Sequence, residues 1–184
     1  CTTAMQEAGL TAFPRGLRGS SRILSFYLDQ LELRLIGLFP DEDFSAGFIR
    51  RLTTSAVKIM TSANRDWLGR SEIAQIIREI CGADTSTTGK SFLRTICSEG
   101  LLRKDHVFDY SDDGQLTQTD EVYRFSFQRF FDLLAVGQVL SECDSVGDVF
   151  GPQSPFQKFA DISNWHEAGQ RYLGALAIGI PEKF

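Results

Sequence analysis

Apolar residues recur at helical spacing along most of this chain. From Ile23 to Phe39, the positions Leu24, Tyr27, Leu28, Leu31, Leu35, Leu38 and Phe39 hold one stripe, and Pro40 ends it. A second helix is expected from Ser45 to Ser62, with Phe44, Phe48, Ile49, Leu52, Ala56, Ile59 and Met60 facing inward. After a brief extended piece at Trp67-Leu68, Ser71 is placed to cap a helix carrying Ile73, Ile76, Ile77 and Ile80, and Gly82 stops it. A third helix runs from Thr87 to Ser98 with Phe92, Leu93, Ile96 and Cys97 inside, and Gly100 follows as its C′ residue.

The period then changes. Leu101 to Tyr110 reads as a strand, Ser111-Asp112-Asp113-Gly114 as a turn, and Gln115 to Thr119 as a polar connection to a strand at Glu121–Phe127. Directly beyond, Phe127, Phe130, Phe131 and Leu134 fall on one face of a helix that reaches Glu142. Three short helices followed by a two-stranded hairpin describe a winged helix. The predicted fold is therefore mainly α: a helical subdomain over residues 1–53, a winged-helix domain with a two-stranded β wing over 54–145, and a linker with the start of a following helical region over 146–184. The last segment ends in a helix from Gly169 to Ile180, broken by Pro181. Residues 1–13 read as the tail of a helix, broken at Phe13-Pro14-Arg15-Gly16, with Gly19-Ser20-Ser21 as the start of the next.

Composition narrows the class. At 184 residues, with 42% hydrophobic and 23% charged positions, the chain holds one domain or two small ones with ample core. Fifteen Phe against two Trp and four Tyr point to packed helices. A net charge of -5 argues against a polyanion as the main partner. No run reaches the length of a membrane span and no leader is visible. Beginning at Cys1, the chain reads as a piece of a longer protein. Cys1, Cys81, Cys97 and Cys143 are too far apart for a CxxC pair, and with only His106 and His166 beside them no zinc constellation forms. Buried free thiols in a reducing, cytoplasmic setting are the expectation.

Candidate chemistry is sparse. Thr88-Gly89-Lys90-Ser91 resembles the end of a P-loop, but Asp84 stands where the first glycine belongs, so a helix N-terminus is the better reading. From Ser86 to Lys104 the charge is net three positive, which suits a nucleic-acid reader. The hairpin opposes it, with Asp105, Asp109, Asp112, Asp113, Asp120 and Glu121 and no cation between them. Asp41-Glu42-Asp43 is a solvated link, and His166 beside Trp165 has no nucleophile to serve. Arg129 and Asp132 admit two readings, a ligand contact or an i, i+3 ion pair.

Val122 to Ala135, VYRFSFQRFFDLLA, resembles the end of the winged-helix domain in STAND P-loop NTPases, the signalling ATPases that include the NACHT and plant NLR proteins. It is most similar to the bacterial antiviral (AVAST-type) group, whose segment reads roughly R-F-T-Y-Q-R-F-S-D-H-L-I-A. The likeness runs through Arg124, Phe125, Ser126, Phe127, Gln128, Arg129, Phe130, Asp132, Leu134 and Ala135. Pro14-Arg15-Gly16-Leu17-Arg18-Gly19 is similar to the P-x-G-x-x-G that opens that family's helical subdomain. Ala175 to Lys183 is similar to its A-L-x-I-Q-x-P-E-R segment.

The resemblance implies a regulatory region that closes on ATP or ADP with Mg, held by an upstream NTPase core of the same chain. It further implies homo-oligomerisation on activation, a phage protein as trigger through a C-terminal sensor, and no nucleic-acid or membrane partner. Arg129 and Asp132 become nucleotide-proximal or hinge residues. The family's His beside that Asp is missing, since Phe131 and Leu133 flank Asp132. The region itself has neither P-loop nor Walker B Asp, so the ATPase activity belongs to the parent protein. The competing reading is a winged-helix transcription regulator with residues 1–53 as a dimerising arm; a third is a plain protein-interaction module.

Overall fold

The computed structural model describes residues 19–42, 44–63, 65–81, 86–110, 116–152, 154, 156 and 167–184. These residues are mainly helical, with seven helices and one three-stranded antiparallel sheet. The chain divides into two compact units, one from Leu31 to Phe127 and the other taking the chain up to Gln30 and from Gln128 onward. Helix α1, Ser20–Leu38, begins in the second unit and ends in the first.

Within Leu31–Phe127, the latter half of α1 buries Leu31 and Leu35, while Leu38 is exposed. Helix α2, Phe48–Ser62, starts later than its apolar pattern suggests because Gly47 takes a left-handed turn, with φ 77°. Its first amides have no side-chain cap nearby in sequence. Instead the Glu32 carboxylate accepts the Gly47 N–H at 2.7 Å and the Ile49 N–H at 3.1 Å. The expected domain limit at residue 53 falls inside this continuous helix, whose buried face runs from Phe48 to Met60.

Strand β1, Leu68–Gly69, leads into helix α3, Arg70–Cys81, which buries Ile73, Ile76 and Ile77. Ser71 is not its cap. Glu72 reaches back to accept the Gly69 N–H at 2.8 Å and also pairs with Arg65, so a carboxylate in the first turn closes the end. Helix α4, Ser86–Ser98, buries Phe92 and Ile96, and Gly100 at φ 77° ends it with the Leu101 N–H on the Ile96 carbonyl at 3.2 Å. Cys97 is half-buried, less than the periodicity suggests.

Strands β2, Leu102–Tyr110, and β3, Leu116–Phe125, pair from Leu102↔Phe125 to Tyr110↔Leu116, with an irregularity at Val107/Phe108. The polar run expected to be loop is therefore largely strand. Thr117 and Thr119 are β-branched and so suit a strand. The turn at residues 111–115 lies outside the described residues. Strand β1 lies on the other side of β3, giving the order β1-β3-β2. The rings of Phe39, Phe44, Phe48 and Phe92 form one cluster, with neighbouring centroids 4.4–6.3 Å apart.

In the other unit, helix α5, Gln128–Ser141, packs against helix α7, Glu167–Lys183, with the short α6, Val146–Val149, between them in sequence. Phe127 is exposed at 57% and precedes the helix, so the expected Phe127–Leu134 stripe loses its first member. The buried set is Phe131, Asp132, Leu133, Ala135, Val136 and Leu140. A Cβ added at Gly179 would sit 2.7 Å from Leu140 Cδ1, which shows how closely α7 approaches α5. Pro181 does not break α7. It lies in the last turn, where only one backbone bond is lost, and Lys183 Nζ anchors that end by donating to the Leu140 carbonyl at 2.6 Å. Among the described residues no helix is long and apolar enough to cross a membrane.

Candidate functional site

Two places gather chemistry. The first is the start of α5, from Gln128 to Asp132. Asp132 is 2% exposed, and its Oδ1 accepts from Gln128 Nε2 at 3.3 Å, one turn back on the helix. Arg129 points the other way along the surface. Its guanidinium donates to the Gly174 carbonyl at 2.9 Å and the Arg171 carbonyl at 3.3 Å, bridging α5 to α7. The two residues share a helix but are engaged with different partners. Gly174 leaves room for this bridge: a Cβ there would meet Arg129 Nη1 at 3.2 Å. The segment that shares Arg124 with this motif is also anchored, since Arg124 pairs with Asp66 and its Nε lies 3.2 Å from Asp105 Oδ2.

The second is a cavity of about 650 Å³ inside Leu31–Phe127, bounded by α3, α4 and the β2–β3 hairpin. Helix α3 presents Arg70, Ala74 and Arg78 at four-residue steps, which places them on one face, with Ile77 beside them. Helix α4 contributes Lys90, Leu93, Arg94 and Cys97, again one face. Lys104 and Tyr123 are cross-strand partners, and Glu121 shares their side of the sheet.

The electrostatics of this wall are settled locally. Glu121 pairs with Lys104 and accepts from the Tyr123 hydroxyl, and these two hydrogen bonds hold its carboxyl below the ordinary carboxylate range. Burial, with Glu121 beside it, raises the Tyr123 hydroxyl. Burial also raises the Cys97 thiol, so it stays protonated and is no nucleophile at neutral pH. Among the described residues Arg70, Arg78, Lys90 and Arg94 form no ion pair with a carboxylate, whereas Arg34, Arg65, Arg103, Lys104 and Arg124 each do.

Two of the six hairpin acids counted as uncompensated are thus paired: Asp105 with Arg103 and Arg124, and Glu121 with Lys104. Thr88-Gly89-Lys90-Ser91 lies within α4, which is not a phosphate-binding loop after a strand. His166, Trp165 and Pro14 to Arg18 lie outside the described residues, while Gly19 takes φ 94° at the start of α1. Among the described residues no group of three or more His, Cys, Asp or Glu is placed to hold a metal ion.

Sequence reasoning missed the cavity. Its signal is present as Arg70/Arg78 and Lys90/Arg94 at helical spacing, but the convergence of two helices on one strand pair is a tertiary fact. No family model, curated protein or solved structure matches the chain.

Proposed function

We propose that the segment from α2 to β3 is a winged helix, and that the chain is the helical and winged-helix regulatory part of a STAND P-loop NTPase acting in bacterial anti-phage defence. The supporting observation is the element order α2-β1-α3-α4-β2-β3 with the short β1 paired to β3 on the edge away from β2. A helix, a short strand, two helices and a hairpin closed by that strand is how a winged helix is built. The STAND-like segment then spans the end of β3 and the start of α5, across the junction between the two compact units. A ligand that favours one arrangement of such units shifts their equilibrium, which is what a switch requires.

The chain's own residues here do not make a triphosphate or magnesium site. Asp132 is buried between Phe131 and Leu133, and Arg129 already donates to two carbonyls. In this reading ATP or ADP with Mg is held by the NTPase core upstream in the same cytoplasmic protein. Arg129 sets how α5 is clamped to α7, and Asp132 fixes the helix start. A phage protein, met by a C-terminal sensor, then drives homo-oligomerisation.

In the parent protein, Arg129→Glu removes the clamp at an exposed position and is expected to shift nucleotide-dependent assembly. Asp132 is too buried for a charge reversal, which would strand a cation in the core; Asp132→Asn is the usable variant. Unchanged assembly in both variants removes these residues from the switch.

A DNA-binding winged helix is the second reading, favoured by the exposed Lys90 and Arg94 on α4, the third helix of the motif. It predicts duplex affinity that falls steeply with salt.

A further inference from the structure

We propose that the cavity between α3, α4 and the β2–β3 hairpin binds a small organic phosphate with an apolar ring body. This inference does not rest on the STAND reading, since the cavity lies wholly within Leu31–Phe127 and away from Arg129 and Asp132.

The volume, about 650 Å³, falls in the middle of the range that encloses small ligands. Its floor is apolar and aromatic: Ile77 and Tyr123 are buried, and Leu93 is half-buried. Its rim carries the exposed Arg70, Arg78, Lys90 and Arg94. Elsewhere among the described residues Arg34, Arg65 and Arg124 meet carboxylates, and Arg51, Arg129 and Lys183 meet backbone carbonyls. Among the described residues Arg78, Lys90 and Arg94 form no ion pair with a carboxylate, so an anion entering this concavity meets three exposed cations.

The sole acid on the wall, Glu121, is bonded to Lys104 and Tyr123 and also lies in the field of Arg70, which leaves Arg78, Lys90 and Arg94 as the rim cations it does not serve. Arg70 and Arg78 lie two turns apart on α3, roughly 12 Å along its axis. Guanidinium forks bind phosphate oxygens in pairs, so Arg78 on α3 and Arg94 on α4, with the Lys90 ammonium, suit a dianionic phosphate better than a single carboxylate. The neutral Cys97 thiol and the apolar floor suit a ring. A concavity with an apolar floor does not suit the convex face of a duplex.

The test is calorimetric titration of the 184-residue chain with 1-naphthyl phosphate, alongside 1-naphthol and inorganic phosphate. Saturable one-to-one binding of 1-naphthyl phosphate is expected, with each half-molecule weaker by about tenfold or more. Arg78→Gln and Arg94→Gln, both exposed, should each weaken it by about tenfold, as loss of a charge-assisted contact does. Ala74→Trp should block the ring without touching a charge. Lys58→Gln, exposed on α2 outside the cavity, should change nothing. No saturable binding, or binding that ignores Arg78→Gln, Arg94→Gln and Ala74→Trp alike, overturns the proposal. So does a duplex that binds more tightly than the naphthyl phosphate and is released by the same arginine variants, since that outcome assigns the rim to nucleic acid.

Discussion

Replacing Phe92 with alanine removes the ring on which Phe39, Phe44 and Phe48 converge. Phe92 has no exposed surface, and its centroid lies 5.9, 5.4 and 5.9 Å from those of the three neighbours. Truncating a buried Phe to Ala costs about 3–5 kcal/mol, the spread reflecting how far the site can close over the space. Phe48 is fully buried and held in α2, so its side of the void stays open. Phe39 and Phe44 are half-buried at the edge, so they can relax inward and recover part of the loss. The expected cost is therefore in the lower half of the range, about 3–4 kcal/mol. Phe92→Leu, which keeps most of the apolar area, should cost about 1–2 kcal/mol and stays measurable if the alanine variant does not fold. Phe127→Ala is the internal control, because that ring is 57% exposed and its loss should fall within about 0.5 kcal/mol. Urea denaturation followed by circular dichroism gives all three values. A Phe92→Ala cost below about 1 kcal/mol, or equal costs at Phe92 and Phe127, refutes the assignment of the core.

Two further tests probe the polar devices. Glu32→Ala deprives the start of α2 of the acceptor for the Gly47 and Ile49 amides and should cost about 1–2 kcal/mol in the same urea assay, Glu32→Gln less; no loss in either variant contradicts the cap. Glu121 has its folded pKa below the ordinary 4.5, so its contribution is complete above that value and is lost as pH falls through the folded pKa. Carbon-13 NMR should find its carboxyl titrating below 4.5, moving upward in Lys104→Met; a midpoint at or above 4.5 contradicts the pairing.

The helices around Ile73, Ile76, Phe92 and Ile96 were legible because a buried helical face repeats every three or four residues whatever it packs against. The Gly100 stop was legible because a left-handed C′ position favours glycine. What escaped depends on partners remote in sequence. Nothing local announces that Glu32 caps a helix fifteen residues on, or that Lys183 secures the last turn of α7 on Leu140 and Pro181 is tolerated there. Phe127 fitted the helical stripe on spacing alone, yet the strand-to-helix transition leaves it exposed. Asp132 was legible as a candidate, but its burial was not, because a charged residue is read as surface by default. The cavity follows from two helix faces meeting one strand pair, and each face alone looks like ordinary solvated charge.

A region that relays nucleotide state into assembly makes oligomeric mass depend on the nucleotide bound. Mass photometry of the parent protein with ATP, with ADP and without nucleotide tests it directly. The expected result is a mass distribution that changes with nucleotide and shifts again in Arg129→Glu. A mass indifferent to nucleotide in the wild-type protein contradicts the proposed relay and makes duplex binding the next reading to test.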